Sequence, residues 1–346
     1  MFKEFSKKYR NILITGGYGF IGSCLLRNLL KNSDCKIVNI DKLNYASNQR
    51  SILSILEKDK ELMRERYHFE KIDLNNNLEL KRVFHLYKPE VVFHLAAETH
   101  VDKSITSPEI FIKSNILGTF NLLEVAKNYW EILENEKKRN FLFIHVSTDE
   151  VFGSLGKEGF FSEKSPYSPN SPYSASKAGS DHLVRAWHST YNFPAITTNC
   201  SNNYGPWQYP EKLIPVIINN ALDRKKIPIY GKGDNIRDWL HVEDHIRALI
   251  IAALRGKAGD NYCIGGGEEK TNLEIANIIC EELDLHYPTK SPHKELINFI
   301  EDRLGHDYRY SIDNSLIKKK LGWSPIYKFK DGIIQTINWY INNKIN

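Results

Sequence analysis

No apolar run in the 346 residues approaches the ~20 that a helix needs to cross a bilayer, so a membrane partner is not expected. Cysteine is sparse. The five that occur, Cys24, Cys35, Cys200, Cys263 and Cys280, are odd in number and scattered, without a CxxC pair or a Cys/His ligand spacing. That excludes a disulfide framework or a zinc site, leaves no metal expected, and makes the thiols small core residues. Charge of one sign is also missing, since 47 basic side chains face 42 acidic ones for a net +5. A nucleic-acid partner is therefore not expected: clustered Lys and Arg and aromatic RNA-binding signatures are absent, and the small excess suits an anionic small molecule. Low-complexity tracts, internal repeats and Gly/Ser linkers are absent too, and 41% apolar with 26% charged residues is ordinary globular usage. Met1–Arg10 is a short basic stretch running straight into a strand-like segment rather than a signal peptide, which makes the cytoplasm the expected compartment.

What is present is alternation. Short β-branched or aromatic runs at Asn11–Thr15, Lys36–Ile40, Tyr67–Lys71, Val91–His94, Phe141–Ser147 and Ala195–Asn199 read as strands. Phe20–Leu30, Leu78–Tyr87, Phe111–Tyr129 and Ala175–Tyr191 carry apolar residues at helical spacing between them. This order predicts an α/β fold with a doubly wound parallel sheet of Rossmann type over residues 1–200. From Ser201 the pattern turns to aromatic, Gly/Pro-punctuated loops with helices near Lys212–Leu222, Val242–Leu254, Leu273–Leu283 and Gly332–Ile341. Residues 201–346 are read mainly as a second, smaller α/β substrate-binding lobe. The strand-like Gly259–Gly265 suggests that about 239–266 returns to the first domain.

Gly16, Gly19 and Gly22 follow the first strand and open the first long helix, where a backbone must turn tightly, approach a pyrophosphate and pack against the sheet. The second strand ends in Asp41, 19 residues beyond Gly22. A carboxylate there bonds the ribose hydroxyls and repels a 2′-phosphate, so the expected cofactor is NAD rather than NADP. Further on, Tyr173 and Lys177 stand at i and i+4 on one helix face, after a strand that ends in Ser147-Thr148. A lysine and an oxidised nicotinamide both stabilise a phenolate, as a general base requires, and the Thr148 hydroxyl can share the substrate oxygen. With these residues the chain resembles the extended short-chain dehydrogenase/reductase family, whose members act on nucleotide sugars, over nearly its whole length.

Asp149 and Glu150 add two adjacent carboxylates at the mouth of the same strand. Within the family, Thr-Asp-Glu here is similar to the 4,6-dehydratase branch and is missing from epimerases and decarboxylases. Leu95–Ser104, Asn202–Pro206, Glu211–Pro215, Arg237–His245 and Asp302–Asp307 are similar to motifs of that branch as well. Departures are modest: Tyr18 stands where alanine is usual, Ser47 for glycine, Phe152 for tyrosine, Lys103 for arginine and Leu304 for proline.

The resemblance implies that Phe20, Ile21, Asp41, Asp73, Leu74, Ala96, Ser114, Tyr173, Lys177 and Asn203 line the NAD site. It implies further that Thr99, Thr148, Asn202, Lys212, Leu213, Tyr230, Arg237, Asn272, Arg303 and His306 hold a nucleotide sugar, dTDP-glucose, with UDP-glucose as the alternative. The implied reaction oxidises C4, eliminates water across C5 and C6 and reduces C6, giving a 4-keto-6-deoxy sugar of the kind that feeds deoxysugars such as rhamnose. A sugar 4-epimerase and a non-catalytic NAD-binding sensor are the competing readings. A homodimer built on the helices Phe111–Tyr129 and Ala175–Tyr191 is expected by the same analogy.

Overall fold

The computed structural model describes residues 1–57 and 64–343. The β-branched runs form the strands of the main sheet: β1 (Asn11–Thr15), β2 (Lys36–Asp41), β3 (Tyr67–Lys71), β4 (Val91–His94), β5 (Leu142–Thr148) and β6 (Ala195–Cys200). After β7 (Asn202–Tyr204), β8 (Ile227–Tyr230) and β9 (Ile236–His241), β10 (Asn261–Ile264) completes it. The seven strands lie in the order β10-β6-β5-β4-β1-β2-β3, and every pair is parallel. The order reverses between β1 and β4, which opens a crevice at the carboxyl ends of the central strands.

Helices cover both faces, as an all-parallel sheet requires. The described α-helices as far as residue 255 are, in chain order, α1 (Phe2–Lys8), α2 (Phe20–Asn32), α3 (Arg50–Leu56), α4 (Asn77–Tyr87), α5 (Val101–Thr106), α6 (Pro108–Phe111), α7 (Gly118–Glu131), α8 (Asn135–Asn140), α9 (Pro172–Tyr191), α10 (Leu213–Leu222), which belongs to the smaller lobe, and α11 (Val242–Arg255). On one face, Phe5, Leu25, Leu29, Ile246 and Leu249 pack with Ile14 and Ile144. On the other, Val83, Phe84, Leu122, Val125 and Val184 pack with Leu13, Val92 and Phe143. Two departures from the sequence expectation stand out. The basic N-terminal stretch is helical and buries Phe5 and Tyr9 against the sheet. The expected helix Phe111–Tyr129 is not continuous: Ile112–Leu117 is a π-helical turn between α6 and α7.

The smaller lobe has its own core. A three-stranded sheet, with β9 between β7 and β11 (Glu269–Thr271), and a parallel pair of β8 with β12 (Ile297–Ile300) carry α10, α12 (Asn272–His286) and, beyond α13 (Ser315–Leu321), α14 (Phe329–Asn342). Ile217, Ile229, Ile275, Ile279 and Ile333 fill the space between them. No described helix is long and apolar enough to cross a membrane.

Candidate active site

The glycine turn after β1 is shaped by close approach. Gly16 has φ +71°, and a Cβ there would lie 2.7 Å from the Ala96 Cα; one at Gly22 would lie 2.2 Å from the Gly16 carbonyl oxygen. Gly19 caps α2 with no side chain bonded to the helix N–H groups, so the positive end of a 13-residue helix is left open for an anion. At the end of β2 the Asp41 carboxylate accepts from the backbone N–H of Tyr18 at 3.0 Å, from that of Leu43 at 2.9 Å and from the Ser47 hydroxyl at 2.8 Å. Its neighbour Lys42 is drawn away, 2.7 Å from Glu98 and 3.1 Å from the Ser114 hydroxyl. Lys42 is thus engaged elsewhere rather than offered to a 2′-phosphate. The turn, the uncapped helix and the carboxylate fit a dinucleotide with a free 2′-hydroxyl.

The reacting groups come from β5 and α9. β5 is buried along its whole length and ends in Thr148, from which a single 3₁₀ turn, Asp149–Phe152, leads on. Thr148 Oγ1 donates to Asp149 Oδ1 at 3.2 Å and accepts from the Glu150 N–H at 3.3 Å. α9 starts with a reciprocal cap in which Ser171 and Ser174 each bond the other's backbone N–H at 3.0 Å. Tyr173 therefore sits in the best-anchored turn of the helix, and Lys177 follows one turn on, donating to the Val146 carbonyl at 2.9 Å.

Burial dominates the electrostatics. It pushes the Tyr173 phenol well above its ordinary pKa, aided by the negative charge of Glu150 and opposed by the Thr148 hydroxyl. Lys177 is pushed down by burial and lifted by Asp181. Asp149 is raised well above a normal carboxyl by burial and by the charges of Glu150 and Asp238, and its Oδ2 has no hydrogen-bond partner among the described residues. Glu150 is raised by burial too, but Lys212 and Arg237 pull it back. Both acids are thus raised, Asp149 with two like charges adding to its burial and Glu150 with Lys212 the first of the cations that oppose it.

A single cleft gathers most of the anticipated residues. Gly16, Gly19, Phe20, Ile21, Gly22, Asp41, Asp73, Leu74, Ala96, Ser114 and Asn203 line it, together with Thr148, Asp149, Glu150, Tyr173 and Lys177. Thr99, Asn202 and Lys212 line it from the sugar-site set. Leu213, Tyr230, Arg237, Asn272, Arg303 and His306 do not; Leu213 starts α10 beside Lys212, and the rest form an adjoining cluster on the smaller lobe. There Arg303 lies 5.0 Å over the Tyr230 ring, and His306 approaches the same ring at 6.2 Å. Arg237 stacks at 4.2 Å on Tyr310 and donates to the Asp307 carbonyl at 2.9 Å, while the Asn272 N–H bonds the Asn235 carbonyl at 3.1 Å. The cluster abuts the cleft, since the charges of Arg237 and Arg303 reach Glu150.

Several residues of the site carry no sequence motif of their own. Asn115, in the π turn, accepts from the Glu98 N–H at 2.8 Å and donates to the Glu98 carbonyl at 3.0 Å and to Ser176 Oγ at 2.8 Å. Asp102 receives Arg303 in a two-pronged pair at 2.6 and 2.8 Å. Glu211 accepts from Lys103 at 3.3 Å and from the Tyr45 hydroxyl at 3.1 Å. Asp102 and Glu211 lie inside the quoted motifs, the one signal that marked them.

A family model described as GDP-mannose 4,6 dehydratase matches residues 13–336. The chain is 52% identical over 341 residues to a dTDP-glucose 4,6-dehydratase of Salmonella typhimurium, a match covering 96% of this chain and 93% of that one. It is 51% identical over 340 residues to one of Neisseria gonorrhoeae, covering 97% and 96%. Among solved structures it is similar to a dTDP-glucose 4,6-dehydratase of Streptomyces venezuelae with NAD bound, at 39% identity and a TM-score of 0.86, covering 96% and 97%.

Proposed function

Since the chain belongs to the GDP-mannose 4,6 dehydratase family, we propose that it acts as an NAD-dependent dTDP-glucose 4,6-dehydratase, a lyase that forms the 4-keto-6-deoxy sugar nucleotide. The observation that carries this reading is the convergence of Thr148, Asp149 and Glu150 with Tyr173 and Lys177 in one cleft, where burial raises both acids.

Gly16, Gly19, Phe20, Ile21 and Gly22 receive the NAD diphosphate at the start of α2, Asp41 takes the adenine-side ribose, and Asp73, Leu74, Ala96, Ser114 and Asn203 complete the walls. Bound NAD supplies the acceptor for the C4 hydrogen and, once reduced, the donor of that hydrogen to C6. Tyr173, ionised with the help of Lys177, takes the C4 hydroxyl proton while Thr148 bonds the same oxygen. The resulting 4-ketone acidifies C5. Glu150 removes the C5 proton, and Asp149 delivers its own proton to the C6 hydroxyl, which leaves as water. Glu150 then returns a proton to C5. Thr99, Asn202 and Lys212 line the sugar end with Leu213 next to them at the start of α10, and Tyr230, Arg237, Asn272, Arg303 and His306 hold the nucleotide, the two guanidiniums on its diphosphate.

On this reading residues 1–200, with about 239–266, form the NAD-binding domain, and 201–346 mainly the nucleotide-sugar lobe. A homodimer is supported by the exposed apolar side chains Ile110, Ile112, Leu117, Phe120 and Tyr191 on the helices around α7 and α9. Five free, buried thiols suit a reducing cytoplasm. The test is incubation with dTDP-glucose and UDP-glucose separately, with deuterium at C4. A dehydratase moves the label to C6, takes solvent hydrogen at C5, and yields the alkali-induced absorbance of a 4-keto-6-deoxy sugar; label returned to C4 would make the chain an epimerase.

A further inference from the structure

Tyr173, Lys177 and Asp181 stand at i, i+4 and i+8 along α9, and all three are buried. The mechanism uses the first two. A fully buried ammonium bonded to one neutral carbonyl is costly, because each of its three protons needs a partner and its charge needs an opposite charge. Asp181 is the carboxylate that raises the pKa of Lys177. It is held on both oxygens: His145 Nε2 lies 2.9 Å from Oδ1, while Oδ2 accepts from the Tyr167 hydroxyl at 2.9 Å and from Asn199 Nδ2 at 3.1 Å.

Four elements frame this carboxylate. Its own helix presents Lys177; β5 presents His145 and Ser147; β6 presents Asn199; and the loop before α9 presents Tyr167, while Ser180 lies against His145 and Cys200 acts on Lys177. Behind His145, with ring centroids 5.3 Å apart, lies His94 of β4, itself bonded to Thr15 at 2.7 Å and Thr119 at 2.9 Å. Burial pushes both histidines down, so neither competes with Lys177 for the negative charge near neutrality. Asp181 itself, though burial works against it, is kept below the usual carboxyl range by the His145 bond and the Lys177 charge.

We propose that Asp181 is a positioning residue for the reaction: a buried counter-ion, aimed by His145, Tyr167 and Asn199, that keeps Lys177 charged next to the Tyr173 phenol. The inference rests on Tyr173 and Lys177 being the acid-base pair. Side chains at i and i+4 are neighbours on one helix face, the Asp181 charge raises Lys177 there, and without it Lys177 surrenders its proton earlier as pH rises.

The experiment compares wild type with Asp181→Asn, Asp181→Glu and Tyr167→Phe. In Asp181→Asn the alkaline limb of the kcat profile moves down by roughly one pH unit or more, kcat falls, and KM for dTDP-glucose stays within about twofold. Asp181→Glu restores part of the shift. Tyr167→Phe, which keeps the carboxylate and removes one of its bonds, moves the limb the same way by less and serves if Asp181→Asn does not fold. NMR titration of the Lys177 ammonium without substrate follows the same order. An unmoved alkaline limb and an unmoved Lys177 titration overturn the proposal, whatever happens to kcat. Wild type that forms no 4-keto-6-deoxy product, with Lys177 still displaced in the variants, would instead overturn the assigned reaction alone.

Discussion

At Tyr173 the protein makes its own base harder to ionise: burial and the Glu150 charge both raise the phenol. The Thr148 hydroxyl opposes that rise, and on the proposed reading Lys177 and the oxidised nicotinamide add the positive charge that a phenolate needs. Tyr173→Phe keeps the shape and removes the base, so kcat should fall by at least ~10²-fold with KM little changed, measured by product formation from dTDP-glucose. Glu150→Gln separates the two halves of the reaction. The variant should still accept substrate but neither exchange hydrogen at C5 with deuterated solvent nor form 6-deoxy product, read by mass spectrometry; full exchange would remove Glu150 from its role. These residues were legible in the sequence because strand-end and helix-face positions keep them close in number. Asn115 and Asp181 were not, since their meaning lies in partners far along the chain, Glu98 and Ser176 for one and His145, Tyr167 and Asn199 for the other.

At the scale of the element, the cap of α9 carries the catalytic turn. Ser171→Ala removes the side-chain acceptor for the Ser174 N–H and should cost about 0.5–2 kcal/mol in denaturant unfolding. Because Tyr173 lies between the two capping serines, kcat should drop more than stability alone explains, and a variant with unchanged kcat would show that the cap only stabilises. The strands and long helices follow their periodicity closely. The π turn does not announce itself, because an extra residue per turn leaves the composition unaltered and the apolar spacing of Phe111–Tyr129 runs across it. What it does is structural and local: it turns Asn115 inward to both backbone groups of Glu98. α1 escaped notice for the opposite reason, seven residues in which lysines outnumber the apolar anchors.

Across the whole molecule, segments far apart in the chain are tied by polar contacts that periodicity cannot reveal. Arg309 binds Glu269 of β11 at 2.6 and 2.7 Å, Ser311 adds a bond to the same carboxylate at 2.7 Å, and Arg309 also reaches the Gly159 carbonyl at 3.0 Å. The Arg309 bond holds the Glu269 carboxyl below its ordinary pKa, with burial opposing and Ser311 assisting. A depressed folded-state pKa contributes stability that is present above the unfolded value of about 4.3 and disappears as pH falls through the folded value. Glu269→Gln should therefore lose about 1–3 kcal/mol near pH 7, and the gap to wild type should close in acid. A gap independent of pH would mean that packing, not charge, is what was lost.

The five buried thiols make the chain its own opening gauge. Burial raises every one of them, so a thiol reagent meets neither exposed sulfur nor ready thiolate until some part of the fold opens. Their positions divide the report: Cys24 and Cys35 lie in the core of the large sheet, Cys280 in that of the smaller lobe, and Cys200 on the wall of the cleft. Alkylation followed peptide by peptide should find Cys280 modified at a rate different from Cys24 if the lobes open separately, and at the same rate if they open as one. Added NAD should slow Cys200 before any other, because the ligand itself would shield that sulfur while the distant thiols feel only the stability it lends.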